Sequence, residues 1–473
     1  MAKTQTVLPF VVKTVPEDLN MTARAGLALV FEAVTALGVE ASVKRHVHVR
    51  RRSRGFSDAS AVKWFVGLLA SGGDCIDDFQ VLDADGGLCR LVGERPPKPS
   101  TAREYLYGFH DDNLIETARR EAEIHKRVAY IPGENGPLVG LGLVMGQLAH
   151  RVGVQLGLTK ATLDLDATIQ ESHKREAKWH YKGGRGYQPS VIYWVESDQI
   201  VGDEYRDGNV PAGMSNLPLI QLGFSRLPPT ITQRYFRGDS ACYEDAVLKW
   251  LANPKRANGP EGHIGFTISA DMSEELRGVC EQVPQASWEL LEERTNETVW
   301  CSDVEFTPGD WPKNAQPLRY IGLRIKKKQG ELFSWGGDTK YLAVVTNRDG
   351  KMATLVRWHW EKAGTIELVH DVTKNELGAA VPPCGRFGAN AAWYRLSLLT
   401  YNVLSAMKSL ALPAEFGTAR PKRLRHRVFS MAGRIVSHSG RLILRVGERA
   451  ERIAGLLNAR TKLAALVPIF APT

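Results

Sequence analysis

The sequence predicts an α/β core interrupted by a β-strand insertion, with a helical region before it and a basic helical tail after it. Strand-like and helix-like segments alternate from about residue 160, which is typical of an α/β core. A block of strand-like segments then occupies 285–357, and apolar residues at helical spacing dominate the first 110 residues. The expected regions are therefore 1–110 (helical), 111–284 (first part of the α/β core), 285–357 (β-rich insertion), 358–412 (C-terminal helices of the core) and 413–473 (basic tail).

Length and composition are those of a globular protein. The chain has 473 residues, of which 43% are hydrophobic and 24% charged, so a sizeable core and roughly two to four domains are expected. No stretch approaches the roughly 18 consecutive apolar residues of a membrane helix, and the N-terminus lacks the pattern of a signal peptide, so a cytoplasmic protein is expected. The cysteines include no C-x-x-C pair, which favours reduced thiols over a zinc site or a disulfide framework.

The charge of the chain indicates a polyanionic partner. The formal net charge is +9 at pH 7, and a basic protein gains affinity for nucleic acid because neutralised phosphates release their counterions. The basic residues cluster near both ends of the chain and include Arg50, Arg51, Arg52 and Arg54 at one end and Arg423, Arg425 and Arg427 at the other. This distribution predicts a DNA-binding surface.

The N-terminal region is predicted to be helical. Residues 21–39 and 57–73 carry apolar residues at helical spacing, with Ser57 or Asp58 as the N-cap of the second helix. Because an Arg-rich cluster lies between them, the two helices suit a DNA-binding module, for which a helix-turn-helix is one candidate form. Further along, GLGLVMG (140–146) has no preceding strand and the wrong spacing for a dinucleotide fingerprint, so close packing of two helices is favoured.

Strands of the predicted core end in acidic residues. In TLDLDAT (162–168) apolar and acidic residues alternate, which places Asp164 and Asp166 on one face of a strand. TITQRYFRGDSACY (230–243) is predicted to be a strand that ends at Asp239. Other predicted elements of the core are short strands at 189–196 and 263–269 and a helix at 243–253.

The insertion is predicted from successive strand-like segments. The expected strands are ETVWCSDVEFT (297–307), LRYIGLRIKKK (318–328), KYLAVVTN (340–347) and MATLVRWHW (352–360), with 347–350 as a hairpin turn. Beyond the insertion, GTIELVHDVTKNELG (364–378) is predicted to be a helix that closes at Gly378, and 390–412 a long helix with an apolar face.

Three acidic residues stand out by their context: Asp166 and Asp239 at strand ends, and Glu367 on the helix beyond the insertion. Carboxylates at strand ends beside a helix can converge at one edge of a sheet, where α/β proteins place their active sites. Such oxygen ligands suit Mg²⁺, and two such ions, roughly 3.5–4 Å apart, would stabilise the attacking and leaving oxygens of a displacement at phosphorus. The three acids are therefore candidate metal ligands and catalytic residues.

The segments around these acids resemble the DDE transposases of bacterial insertion sequences, and insertion-sequence family 1380 in particular. TLDLDAT resembles the first motif (Asp-x-Asp-x-Thr), RGDSACY (237–243) the second (Arg-x-Asp-Ser and an aromatic), GTIE (364–367) the third (Gly-Thr-x-Glu), and GRFGANAAWYRLSLLTYNVL (385–404) the segment that follows. The order agrees, and the 73 residues from Asp166 to Asp239 and 128 from Asp239 to Glu367 leave room for the insertion. The resemblance covers about 160–410 and implies an RNase H-like mixed-sheet catalytic core.

A further pattern of related transposases, Tyr-x2-Arg-x3-Glu-x6-Lys, continues around the third acid. Lys374 follows Glu367 by two helical turns, so the two side chains share a helix face. The resemblance implies that Lys374 contacts a phosphate of the transposon end. The upstream half departs from the pattern: Trp360 and Ala363 occupy the Tyr and Arg positions, and Lys362 is the candidate substitute for the phosphate contact.

Two alternatives within the triad stay open. Asp164 shares a strand face with Asp166, which is preferred because the family's metal ligand precedes x-Thr. Glu376 is an alternative to Glu367 but lies outside the Gly-Thr-x-Glu context. For His370, on the same helix, a packing or helix-surface role is favoured over direct catalysis.

The resemblance implies a two-part reaction on double-stranded DNA in the bacterial nucleoid. Activated water cleaves a phosphodiester at each inverted-repeat end, and the freed 3′-hydroxyl attacks target DNA. Two Mg²⁺ ions, with Mn²⁺ as an alternative, are the implied cofactors, and a homodimer in the DNA complex is expected because two ends are joined in one event. The alternatives are an RNase H-like endonuclease without strand transfer and a catalytically inactive DNA-binding protein descended from a transposase. The motif order disfavours a basic protein that binds RNA or an acidic protein.

Overall fold

The computed structural model describes residues 20–50, 55–309, 311–312, 316–328, 333, 337–447, 449–467 and 469–470. Helices dominate the part before the central sheet. The elements there are β1 (Met21–Thr22), α1 (Ala28–Ala36), α2 (Val39–His46), α3 (Asp58–Ser71), α4 (Phe79–Asp83), α5 (Gly86–Val92), α6 (Pro99–Tyr107), α7 (Asp112–Ile124) and α8 (Gly136–Gln155). The predicted N-terminal helices are confirmed as α1 and α3, and the Ser57 side chain caps α3 by accepting a hydrogen bond from the Ser60 amide.

Strands and helices then alternate along the middle of the chain. These elements are β2 (Lys160–Ala167), β3 (Gln170–Glu171), β4 (Lys178–Trp179), β5 (Arg185–Tyr187), β6 (Ser190–Trp194), β7 (Gln199–Glu204), α9 (Asn216–Ser225), β8 (Gln233–Gly238), α10 (Asp245–Ala252), β9 (Ile264–Ala270), α11 (Glu274–Gln282), β10 (Glu289–Glu293), β11 (Glu297–Val304), β12 (Arg319–Lys327) and β13 (Thr339–Thr346). The last part contains α12 (Met352–Trp360), α13 (Lys362–Glu376), α14 (Phe387–Leu410), α15 (Pro421–Leu424), β14 (Gly433–His438), β15 (Arg441–Val446) and α16 (Ala450–Leu466).

The central sheet is mixed, as the sequence predicts. Its strand order is β10-β11-β12-β13-β9-β8-β2-β6-β7. Strands β2, β8 and β9 are parallel neighbours, whereas β6 runs antiparallel to both β2 and β7. Both faces are covered: Val191 and Tyr193 of β6 pack into the core shared with α8 and α14, while Ile192 and Trp194 pack into the core shared with α9 and α10. The near-continuous apolar runs of these strands follow from burial on two sides.

The strands of the predicted insertion continue this sheet. Strands β10 to β13 extend it antiparallel beyond β9, and the strands predicted at 297–307, 318–328 and 340–347 are confirmed as β11, β12 and β13. The strand predicted at 352–360 is wrong, because this segment is helix α12. Its buried residues Leu355, Val356 and His359 recur at helical spacing. Residues 347–350 therefore connect a strand to a helix and are not a hairpin turn.

The N-terminal helices share their core with the long helix α14. The ring of Phe65 on α3 meets the ring of Trp393 on α14 edge-on, with centroids 6.1 Å apart. The GLGLVMG segment lies on α8, and a Cβ on Gly140 would come within 1.9 Å of the His46 carbonyl oxygen of α2. The prediction that this segment packs two helices closely is confirmed, because only glycine fits at that distance.

The C-terminal region folds back on the N-terminal helices. The predicted basic helical tail is helical only in part: α15 and α16 are helices, but β14 and β15 form a hairpin between them. Ser439 and Gly440 have φ of 50° and 72°, as required by a two-residue turn whose twist matches the strands. Strand β1 pairs with β14, with Met21 opposite Arg434, and α16 packs along α1.

Within the described residues, no single helix is long and apolar enough to cross a membrane. One pair meets the length and composition criteria together, 25–36 with 39–46, but it is bent by 52°.

Candidate active site

Asp166 and Asp239 lie at the carboxyl ends of two adjacent parallel strands. Leu165 of β2 is in register with Gly238 of β8. The residues that follow them, Asp166 in β2 and Asp239 just after β8, therefore lie at the same level along the sheet edge. Neighbouring strands are about 4.8 Å apart, so the two carboxylates lie side by side. The structure thus brings together the two aspartates that the sequence predicts to converge.

Asp239 is held by the turn that follows β8. Its Oδ1 accepts a hydrogen bond of 3.1 Å from the Ala241 amide. Burial raises the pKa of the Asp239 carboxyl, the Lys362 ammonium opposes the shift, and the Asp166 carboxylate adds to it. Two neighbouring carboxylates in partial burial resist carrying two negative charges, so the pair is electrostatically suited to a cation.

Lys362 supplies a positive charge to this pair. It is the first residue of α13, is 8% exposed, and places its Nζ 3.2 Å from Asp166 Oδ1. Burial alone would lower the pKa of Lys362, but the charges of Asp166 and Asp239 outweigh burial and raise it. Lys362 is therefore an ammonium that neutralises part of the carboxylate pair.

His370 faces the other oxygen of Asp166. Its Nε2 lies 3.7 Å from Asp166 Oδ2. Burial, assisted by the charges of Lys362 and Lys374, lowers the pKa of His370 to about 3, so the ring is neutral. Neither ring nitrogen has a hydrogen-bond partner among the described residues.

Asp164 belongs to a different network beneath the site. Its carboxylate accepts two hydrogen bonds from the Arg237 guanidinium, at 2.7 Å (Nε to Oδ1) and 2.9 Å (Nη2 to Oδ2), and both side chains are buried. Thr365 of α13 also donates to Asp164, and Arg237 donates to the Trp358 carbonyl oxygen at 2.8 Å. Asp164 thus fastens α12 and α13 to the sheet, and this favours Asp166 over Asp164 as the metal ligand.

Glu367 lies on the exposed side of α13, three residues before His370. It makes no hydrogen bond or ion pair with the residues that the structure describes, and it is not brought into contact with Asp166 or Asp239. Lys374, on the same helix face, donates to the Ile169 carbonyl oxygen at 2.7 Å, just beyond the end of β2. The face of α13 that carries Glu367 is therefore directed along the edge where β2 ends.

Glu376, the alternative to Glu367, is engaged elsewhere. Its Oε1 accepts from Arg420 Nε and its Oε2 from the Lys422 amide, both at 2.6 Å. The glutamate therefore joins the end of α13 to the C-terminal basic segment. This position favours Glu367 over Glu376 as the third carboxylate.

The candidate DNA contacts differ in their availability. Arg423 and Arg427 are exposed. Arg425 is half-buried and donates from Nε to the Ala70 carbonyl oxygen at 2.9 Å, so it stabilises the end of α3. Arg50 is also half-buried, with its guanidinium carbon 5.9 Å from the Tyr105 ring centroid. The other three arginines of the N-terminal cluster, Arg51, Arg52 and Arg54, lie outside the described residues.

The sequence analysis missed a basic-aromatic segment beside the site, residues 174–185, in the small sheet of β3, β4 and β5. Trp179 and Tyr181 are 61% and 75% exposed. Arg185 lies over the Trp179 ring at 5.3 Å and Lys182 over the Tyr181 ring at 5.7 Å. Basic residues interleaved with aromatic ones are typical of nucleic-acid surfaces, and this pattern in KREAKWHYKGGR (174–185) is the signal that could have revealed the segment.

A divalent cation such as Mg²⁺ needs several oxygen ligands close together. Among the described residues, the group of three His, Cys, Asp or Glu side chains whose ligand atoms all lie within 4.8 Å of one another is Asp74, Cys75 and Asp78, in the N-terminal helical part. The predicted triad does not form such a group. Asp166 and Asp239 nevertheless fit a cation, because they are adjacent hard-oxygen donors with an unpartnered imidazole beside them.

Comparison with known proteins agrees with this geometry. A family model described as "Transposase DDE domain group 1" matches residues 12–468. No curated protein matches the chain.

Proposed function

The chain belongs to the DDE transposase family, and we propose that it is a transposase of insertion-sequence family 1380. It binds the inverted-repeat ends of an element, cleaves double-stranded DNA there and joins the freed ends to target DNA. The observation that carries this proposal is the pair Asp166 and Asp239 at the in-register ends of β2 and β8. Helix α13, which carries Glu367, packs against β2 at the same edge.

The strand order supports an RNase H-like core. In chain order, the central sheet begins with β2, β6, β7, β8 and β9. Numbered one to five, these strands lie in the order 3-2-1-4-5 across the sheet, and the second runs antiparallel to the first. The insertion is joined to the outer edge of the fifth strand, on the side of β9 away from β2. The site at the end of the central strand β2 is thus left open to a large substrate.

Asp166, Asp239 and Glu367 would hold two Mg²⁺ ions, with Mn²⁺ as an alternative. Such ions, when bound, stabilise the attacking and leaving oxygens of a displacement at phosphorus. The protein itself presents Asp239 on a turn fixed by the Ala241 amide and fixes α13 to the sheet through Arg237. Lys362 and Lys374 place positive charge on either side of Asp166, where a DNA phosphate would approach.

The activity is tested with the purified full chain, Mg²⁺ and a labelled duplex that carries the ends of the element beside a target plasmid. Cleavage at the ends together with a joined product is the expected result. Cleavage without any joined product would favour the endonuclease, and end-specific binding without cleavage would favour an inactive DNA-binding protein. Either outcome would contradict the proposal.

Glu367→Gln is expected to reduce the rate of end cleavage at least about a hundredfold, because it removes one negative ligand from the second metal position. Glu376→Gln is the comparison on the same helix, and it is expected to keep most of the cleavage rate because Glu376 contacts the C-terminal segment. Single-turnover cleavage of the labelled duplex measures both variants. A normal rate for Glu367→Gln with an inactive Glu376→Gln would reverse the assignment of the third carboxylate.

DNA binding is proposed to use three sets of basic residues. The first consists of Lys362 and Lys374 at the site, and the second is the basic-aromatic segment 174–185 next to it. The third is made of the terminal clusters, which supply Arg423 and Arg427 and, on the N-terminal side, Arg50, Arg51, Arg52 and Arg54. Arg420 supports a continuous surface, because it pairs with Asp371 and Glu376 on α13 and so holds the C-terminal segment against that helix.

Arg423→Ala combined with Arg427→Ala is expected to weaken binding to any duplex. Each lost phosphate contact should reduce the slope of log K against log salt concentration by about 0.9, so a salt titration of duplex binding measures the effect. Arg119→Ala with Arg120→Ala removes the same charge from the exposed face of α7 and should leave the slope unchanged. Arg425→Ala should lower the denaturation midpoint, because it removes the contacts at the end of α3. An unchanged slope in the first double variant would exclude this part of the surface.

A homodimer in the DNA complex completes the proposal. Joining two ends in one event needs two sites held in a fixed relation, and two-fold symmetry is the simplest arrangement. Light scattering of the protein with and without end duplexes measures the state. A complex with one protomer per pair of ends would contradict it.

A further inference from the structure

His370 is a buried histidine without a hydrogen-bond partner. It is 6% exposed, and neither Nδ1 nor Nε2 makes a hydrogen bond of normal length and angle with any residue that the structure describes, although the backbone of Asp166 lies near the ring. Buried polar side chains are nearly always satisfied, so an orphaned ring requires an explanation. His359 on α12 provides the contrast, because it is equally buried but bonds Thr267 through Nδ1 at 2.9 Å and Ser269 through Nε2 at 3.0 Å. Burial alone therefore does not account for the state of His370.

The distance from His370 to Asp166 suits two ligands of one cation. Nε2 and Oδ2 are 3.7 Å apart, which is too long for a hydrogen bond. Two ligands that each lie about 2.1 Å from a shared ion are at most about 4.2 Å apart. The other oxygen of Asp166, Oδ1, is the one that faces Lys362, so the ammonium does not occupy the gap between Oδ2 and the ring.

Glu367 lies on the same helix but is exposed, and among the described residues its carboxylate does not form a group of ligand atoms within 4.8 Å with His370 and Asp166. Glu367 precedes His370 by three residues, and residues at this separation are neighbours on a helix surface. A Glu-x-x-His sequence presents an oxygen and a nitrogen ligand to a single metal ion in helical metalloproteins. Glu367 makes no hydrogen bond or ion pair among the described residues, so no contact prevents the change of side-chain rotamer that it would need to complete such a set.

We propose that His370 is a nitrogen ligand of the second metal position, which it shares with Asp166 Oδ2 and Glu367. The inference rests on the proposed function, because it assigns one ligand of the two-metal site. Imidazole suits transition-metal ions better than Mg²⁺, which prefers oxygen. The second position therefore prefers Mn²⁺ over Mg²⁺, and the packing role that the sequence favours for His370 is replaced by ligation.

The test is binding of Mn²⁺ to the full chain without DNA, followed by electron paramagnetic resonance, with pulsed measurement of nitrogen coupling. Two bound ions are expected, one of them coupled to ¹⁴N. His370→Asn should remove the coupling and weaken the second ion at least about tenfold. His370→Asp, which offers oxygen instead, should restore the second ion and shift its preference towards Mg²⁺. His359→Asn is the matched control for a buried histidine and should keep the nitrogen coupling.

The outcomes separate this inference from the proposed function. If Mn²⁺ binds in a manner that depends on Asp166 and Asp239 but shows no nitrogen coupling, the ligation by His370 is overturned while the two-metal proposal stands. If Asp166→Asn and Asp239→Asn leave Mn²⁺ binding unchanged, the metal site itself is misplaced. Labelling the wild-type protein with ¹⁵N-histidine gives the same answer without a substitution: the ¹⁴N modulation must be replaced by a ¹⁵N signal, and its persistence would exclude a histidine ligand.

Discussion

Asp239→Asn is expected to reduce Mg²⁺-dependent cleavage of the transposon-end duplex at least about a thousandfold, which corresponds to roughly 4 kcal/mol of transition-state stabilisation. Asparagine keeps the shape of the side chain and can accept the hydrogen bond from the Ala241 amide, but it removes the charge that would hold a cation beside Asp166. Lys362 keeps its partner Asp166 in the variant.

The fold is expected to tolerate this substitution. Burial disfavours the charged form of Asp239, so a neutral amide at this position costs little stability. Circular dichroism and the denaturation midpoint measure the fold, and single-turnover cleavage measures the reaction. Asp245→Asn is the matched control: its carboxylate pairs with Lys249 on the exposed face of α10, and its cleavage rate should equal that of the wild type. Full Mg²⁺-dependent activity of Asp239→Asn would refute the catalytic assignment.

Asp164→Asn is expected to lower the free energy of unfolding by about 3–5 kcal/mol, because it leaves the Arg237 guanidinium as a buried charge without its carboxylate partner. Asp166→Asn, two residues away on the same strand, leaves Lys362 with Asp239 as a neighbouring carboxylate, so it should have a smaller effect on stability and abolish cleavage. Denaturant titration of the two variants measures the difference. The comparison decides between the two aspartates that share a strand face.

An exposed pair of the same geometry serves as the control for Asp164. Arg319 also donates two hydrogen bonds to one carboxylate, that of Asp303, but the side chains are 30% and 54% exposed. Asp303→Asn should change the free energy of unfolding by less than about 1 kcal/mol, because water screens an exposed pair. An equal loss in both variants would mean that burial does not set the energy of the Asp164–Arg237 pair.

The sequence predicted an element correctly where the local residue pattern and the tertiary structure favour the same secondary structure. Alternation in 162–168 fixed β2 and the face shared by Asp164 and Asp166, and the Ser57 cap fixed the start of α3. Segment 352–360 was misjudged because nine residues rich in aromatic and β-branched side chains suit a strand as well as a helix. The helical form is stabilised by packing against β11 and by the hydrogen bond from Arg237 to the Trp358 carbonyl oxygen. Both contacts come from residues that are distant in the sequence.

The chemistry of the site was less predictable than its carboxylates. Whether an aspartate is free or paired depends on which side chain the neighbouring strand supplies, and Arg237 is 73 residues from Asp164. The same applies to His370, whose missing partner is visible only when the sheet and α13 are in place. The hairpin at 433–446 was not predicted from the sequence, because the Ser439-Gly440 turn is a weak local signal among many basic residues.

The pairing of β1 with β14 has a consequence for biosynthesis. Met21 leaves the ribosome early, but its partner Arg434 follows only after roughly 400 further residues, which takes about 20–80 s at bacterial elongation rates. All of the candidate metal ligands are made before that moment. A polypeptide released prematurely after residue 412 would contain Asp166, Asp239 and Glu367, but its helix α1 would lack the contact with α16. Such products are expected to aggregate or to be degraded by proteases.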